Sequence, residues 1–205
     1  MKERESTALG KDNIGGLLLK LALPAILAQI INVLYNMVDR MYIGHIPKIG
    51  SDALTGVGVT MPVIMAISAF AALVSMGGAP RASIMMGKND KSAAEKILGN
   101  CTLMLVIMAA ILTCVFFIWG EDILLVFGAS SKTIGYALEY MRIYSLGTIF
   151  VQLALGLNAF INAQGYAKMG MFTVAIGAIC NIILDPIFIF QFSMPVKGAA
   201  LATII

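Results

Sequence analysis

Charge is scarce in this chain. Only 12% of its 205 residues are Asp, Glu, Lys or Arg, against 60% that are hydrophobic. A soluble globular domain carries about 25% charged and about 45–50% apolar residues. A chain of this size has no core large enough to hide so much apolar surface, so its solvent is lipid and it reads as a polytopic helical membrane protein. The mean hydropathy of +0.91 agrees. Histidine occurs once, and the three cysteines, Cys101, Cys114 and Cys180, lack any metal-like spacing and fall in apolar runs, where they serve as small packing residues. No basic run with interleaved aromatics is present, which excludes a nucleic-acid partner. The net charge of +3 reflects loop lysines. No low-complexity segment, internal repeat or soluble domain interrupts the pattern. The first long apolar stretch exceeds a signal peptide and is followed by no A-x-A site, so it reads as a helix that stays in the membrane.

What is there is a series of apolar runs of spanning length, about 20 residues each. The first covers about Leu17 to Ile46, the second Leu54 to Met76 with an extension toward Met86, and the third Ile97 to Trp119. The fourth covers Thr133 to Ala163 and the fifth Met169 to Phe192. A sixth begins near Gly198 and the sequence stops inside it, which reads as a chain cut early in that span. The expected class is therefore all-α: a membrane bundle of five complete transmembrane helices and the start of a sixth. "GKND" (Gly87–Asp90) reads as a turn, "KSAAEK" after it as an exposed helix start, and "GEDILLVFGASS" as a short interfacial helix stopped by Gly128.

Orientation follows from loop cations. Lys2, Arg4, Lys11, Arg81, Lys88, Lys91, Lys96 and Lys168 fall on the N-terminal side, eight against Lys48, Lys132 and Lys197 on the other. This places the N-terminus in the cytoplasm and the chain in the cell membrane.

Polar residues inside spans are costly there and turn to a bundle interior or wet cavity. Gln29, Asn32, Asn36 and Asp39 are spaced 3, 4 and 3 apart. They fall within an arc of roughly 80° on the first span, a stripe that ends in a carboxylate. Amides alone would suit interhelical hydrogen bonding; with Asp39 the stripe points to a cavity or ion path. On the fourth span Tyr140, Tyr144, Gly147, Asn158 and Asn162 share an arc of about 60°, with Arg142 and Gln152 pointing elsewhere. Arg142 has a plain role, snorkelling outward or pairing with Glu139. In "NIILDPIFIF" (Asn181–Phe190), Asn181 and Asp185 lie one turn apart on one face. Pro186 has no N–H, so the carbonyl of Ile182 loses its helical partner. An amide, a carboxylate and a freed carbonyl make an oxygen cluster suited to a hard cation such as Na⁺; the buried carboxylate also suits a proton. Pro24, fifteen residues before Asp39, is a candidate kink or hinge. His45 reads as an exposed loop residue. The fourteen methionines are apolar filler, with an adaptable cavity lining as their other use.

The stretches "LALPAILAQIINVLYNMVDRMYIGHI", "ALTGVGVTMPVIMAISAFAALVSMGGAPRASIMMGKND", "LNAFINAQG" and "NIILDPIFIF", in this order, resemble the MATE (multidrug and toxic compound extrusion) family, and within it a bacterial multidrug-exporter branch. The likeness runs from about Gly10 to Ile205. It implies the N-terminal lobe, residues 1–205, of a twelve-helix transporter whose second lobe is absent here. It implies a cation site at Asp39, Asn181, Asp185 and Thr203, the last supplied by the resemblance alone. It places Tyr140 and Asn158 in one hydrogen-bonded network and makes Pro24 a bending point. With Gln29, Asn32 and Asn36 these form the expected cavity lining, and Pro24 and Pro186 the expected kinks. The implied activity is Na⁺- or H⁺-coupled export of small organic, often cationic compounds. No catalytic residue and no cofactor beyond the coupling ion is expected, and the partners are substrate, lipid and a C-terminal lobe. Two other readings stand beside it. A lipid-linked precursor flippase shares the architecture, but its cavity is usually markedly cationic, and only Arg81 and Arg142 lie near spans 2–5. An intramembrane aspartyl protease would pair Asp39 with Asp185, but "NIILDPIF" lacks the glycines such enzymes show.

Overall fold

A computed structural model describes residues 14–205; Lys2, Arg4 and Lys11 of the orientation count lie outside them. Apolar helices follow one another along the chain, and no strand occurs among the described residues. α1 is Ile14–Gly44, α2 Gly50–Val59, α3 Met61–Gly87 and α4 Lys91–Ile118. The short α5, Gly120–Val126, leads to α6, Ile134–Ala163, and α7, Ala167–Pro186. A π-helical turn, Ile187–Gln191, extends α7, and α8 covers Pro195–Ile204. Five stretches are long and apolar enough to cross a membrane: Leu18–Gly44, Gly50–Gly87, Lys91–Ile118, Ile134–Ala163 and Ala167–Gln191.

The five expected spans are present, with the second and third starting earlier and other ends shifted by one to three residues. The second starts at Gly50 and runs through α2 and α3. The break at Thr60 has a local cause: Thr60 Oγ1 turns back to donate to Val57 O at 2.7 Å, and Pro62 opens α3. The third starts at Lys91, ahead of its apolar run, because the Asp90 carboxylate caps it by accepting from the Ala93 N–H at 3.0 Å. The sixth starts at Pro195, again at a helix-opening proline. α5 ends at Val126, and Gly128 just beyond it turns the chain away, its φ of +97° being the left-handed conformation a glycine adopts without strain.

α6 is the hub. It packs on α2, α3, α4, α5, α7 and α8, while α1 lies mainly along α7. One apolar core gathers Ile43, Val57, Ile67, Leu124, Met141 and Val196. A second, farther along α3, α4 and α6, gathers Ala71, Ala79, Leu105 and Phe160. The outer surface is apolar as well: Leu73 is 65% and Met76 78% exposed, which suits contact with lipid and not with water. Arg142 is exposed, and Glu139 pairs with Lys197 across 3.2 Å instead. His45 is exposed at the end of α1.

Candidate functional site

Three buried polar side chains, Asp39, Asn181 and Asp185, sit where α1 meets α7. Asp185 is 0% exposed. The carboxyl of Asp39 is close enough to interact with it. Asp39 Oδ1, both oxygens of Asp185 and both polar atoms of Asn181 have no hydrogen-bond partner among the described residues. A buried polar group without a partner costs about 1–3 kcal/mol, and more when charged. Five orphaned polar atoms in one place, four of them oxygens, are a liability for packing alone and a ready set of ligands for a hard cation. No group of three or more His, Cys, Asp or Glu suited to a transition metal occurs among the described residues.

Beside this pair lies a small enclosed cavity of about 70 Å³. Asp39, Tyr35, Asn36, Arg40, Met61, Tyr140, Tyr144 and Thr203 are on its wall. Asn181 and Asp185 are not, and join it through Asp39. Thr203 donates to Ala199 O at 2.8 Å and accepts from Tyr140 Oη at 3.4 Å, so the α8 hydroxyl is held on the wall opposite α1. Tyr140 and Tyr144 stack with ring centroids 6.1 Å apart. α8 comes close because Gly147 offers no side chain: a Cβ there would stand 2.5 Å from Ile204 Cγ2.

Pro186 supplies no N–H, and the next amide, Ile187, donates to Leu184 O, so neither serves the Ile182 carbonyl. The chain recovers by widening its turn, with Phe192 N–H donating to Ile187 O at 3.0 Å. π-turns of this kind are frequent at functional sites.

The residues foreseen for the cavity separate into groups. Asn36 lines it, while Gln29 is exposed and Asn32 half-buried, about 15 and 10 Å along α1 from Asp39. Asn158 lies about 27 Å along α6 from Tyr140. It donates to Gly170 O at 3.0 Å and Thr173 Oγ1 at 2.7 Å, and its Oδ1 accepts from Asn162 at 2.9 Å. It forms a separate polar cluster between α6 and α7 and shares no hydrogen bond with Tyr140. Pro24 is buried within α1. Two residues escaped the sequence reading. Tyr35, one turn before Asp39, is on the cavity wall, and that i to i+4 spacing was its signal. Gln152, set aside as pointing elsewhere, is fully buried and donates to Ile67 O at 2.9 Å. The four-residue steps from Tyr140 through Tyr144 and Thr148 to Gln152 could have revealed it.

The sequence profile of the MatE family matches residues 24–187. The chain belongs to this family. It is 26% identical over its whole length to the multidrug export protein MepA of Staphylococcus haemolyticus (strain JCSC1435), covering 45% of that protein. Among solved structures, it is similar to a MATE in complex with MaD3S, with a TM-score of 0.88 and 25% identity over 98% of this chain and 44% of that one. It is equally similar, with the same TM-score, identity and coverage, to a MOP-superfamily transporter from Pyrococcus furiosus whose binding pocket of reverse polarity suggests a different function. The chain thus spans less than half the length of the relatives it matches. As a MATE-family chain with five membrane-spanning-length helices, it is a membrane protein.

Proposed function

We propose that this chain is the cation-coupled N-terminal lobe of a multidrug efflux transporter, working with a second lobe to export small organic, often cationic compounds. The observation that carries the proposal is the buried pairing of Asp39 with Asp185, brought together from opposite ends of the chain and left without hydrogen-bond partners. A monovalent cation, Na⁺ or H⁺, satisfies the pair. Asn181 and Thr203 complete the site, the first from α7 and the second from α8. Bound there, the ion ties α1 to α7 and α8, and one arrangement of α1 is favoured over another. Coupling to export requires the ion to prefer one cavity shape. Gln29, Asn32, Asn36 and Asn158 stand along the faces that substrate would meet. The N-terminus lies in the cytoplasm, in keeping with Arg81, Lys88, Lys91, Lys96 and Lys168 on that side.

The same pair of carboxylates is what a protease would need, but the family and the exporters it resembles point to transport. The experiment is ion-driven efflux of an organic cation by the full-length transporter in proteoliposomes. Asp39→Asn and Asp185→Asn are each expected to abolish the response to the ion gradient. Wild-type rates in both variants overturn the proposal.

A further inference from the structure

Arg40 follows Asp39 in α1 and projects about 100° away from it, toward α3. Its half-buried guanidinium donates to the thioether of Met61. A thioether is a weak acceptor, and the guanidinium carries five donors. It is therefore poorly satisfied where it stands. Arg40 also occupies a singular place. It lines the enclosed cavity that holds Asp39, Tyr140 and Thr203. It lines as well an open groove of about 350 Å³ at the far end of α1, among Met37, Met41, Gly44, His45 and Leu54. No other residue belongs to both linings. A fixed positive charge thus lines both an open groove and a cavity whose Asp39 has an unpartnered oxygen.

We propose that Arg40 is a built-in counter-cation of the ion site, competing with the coupling ion for Asp39. This rests on the reading of Asp39 and Asp185 as cation ligands. When the ion is bound, Arg40 is parked on Met61. When the ion leaves, the guanidinium swings to Asp39, its neighbour in sequence on the same cavity wall, and a charge-assisted pair replaces a weak contact. The competition lowers the affinity of the site for its ion and so favours release. No covalent step is involved.

The test is the concentration of driving cation, Na⁺ and H⁺ assayed separately, that gives half-maximal efflux by the full-length transporter in proteoliposomes. Arg40→Gln is expected to lower that concentration by about tenfold, the order for removing one unit charge beside a partly buried site. Arg40→Lys stays within about threefold of wild type, since it keeps the charge. Met61→Leu, a volume-conserving change, removes the parking acceptor and raises the concentration severalfold. A purely structural role for Arg40 would not move Arg40→Gln and Met61→Leu in opposite directions. An unchanged or higher value in Arg40→Gln, or a shift of Met61→Leu in the same direction, overturns the inference. Should Arg40→Gln fail to fold, an unchanged value in Met61→Leu overturns it alone. Arg142→Gln, at an exposed position, controls for net charge. If Asp39→Asn and Asp185→Asn keep the ion response, the ion-site reading fails and this inference with it. If they lose it while Arg40→Gln and Met61→Leu match wild type, only this inference fails.

Discussion

Replacing Asp185 by Asn keeps the shape of a fully buried side chain and removes its charge. The expected loss follows from geometry. A cation seated between Asp39 and Asp185 would have each carboxylate within about 4 Å. At an effective dielectric of about 20, one such pair is worth about 4 kcal/mol before desolvation is counted. A net loss of about 2–4 kcal/mol corresponds to roughly 30- to 1000-fold weaker ion binding. Thermal unfolding of the full-length transporter in detergent, at constant ionic strength, reads this directly. At a cation concentration 100 times Kd the wild type gains about 2.7 kcal/mol. If Kd rises by about 100-fold, the same concentration gives RT ln 2, only about 0.4 kcal/mol. The ion-free variant should be no less stable than the wild type, because the substitution separates two facing buried acids. Stabilisation of Asp185→Asn by the driving cation to the wild-type extent would refute the reasoning, as would a marked loss of ion-free stability with the ion response intact.

Further outcomes follow from single contacts. Gly147→Ala sets a methyl group against Ile204 and pushes α8 outward, so ion affinity should fall while the protein still folds; an unchanged ion titration counts against Thr203 as a ligand. Gln152→Leu should cost less than about 1.5 kcal/mol, because the buried Oε1 has no partner to lose, whereas Gln152→Ala should cost about 2–4 kcal/mol through the cavity it leaves; thermal unfolding checks both. Asn158→Ala removes the α6–α7 amide cluster far from Asp39, so it should alter which organic cations are exported without changing the ion concentration for half-maximal efflux.

Elements whose signal is local periodicity were legible in the sequence. The five spans, the Gly87–Asp90 turn and the Gly128 stop each depend on residues within one or two turns. Asn181 and Asp185 were legible for the same reason, since two polar residues four apart in an apolar run share a face in any helix. The meeting of Asp39 with Asp185 was expected from the family resemblance and not from spacing, because contacts between distant helices leave no periodic trace. The arc drawn through Tyr140 and Asn158 shows the limit. A shared azimuth says nothing of height, and about 27 Å of helix separates the two. Gln152 was missed for a related reason: α6 has neighbours on several sides, so residues a third of a turn away from the Tyr140 face are buried as well. Its sequence shows no polar side to subtract.

The position of α1 explains why an ion at Asp39 can have large consequences. Among its residues whose burial is described, only Pro24, Asp39 and Ile43 are buried, whereas α6 buries ten. A helix held by so few buried side chains is the one whose placement an extra contact decides, since local opening is easiest where buried contacts are few. Of those three, Ile43 lies one turn beyond Asp39, so the far end of α1 is held by one apolar side chain next to the proposed ion ligand. Pro24 interrupts the hydrogen-bond ladder about 22 Å nearer the N-terminus, where a helix bends at least cost. If an ion binds there as proposed, its removal would leave Ile43 alone against the unpaired carboxylates. Restoring it would close the site on α7 and α8 and give α1 one preferred course. Under the proposed function, the charged residue, the proline and the sparse burial are parts of one arrangement, in which a single cation would choose the path of a spanning helix.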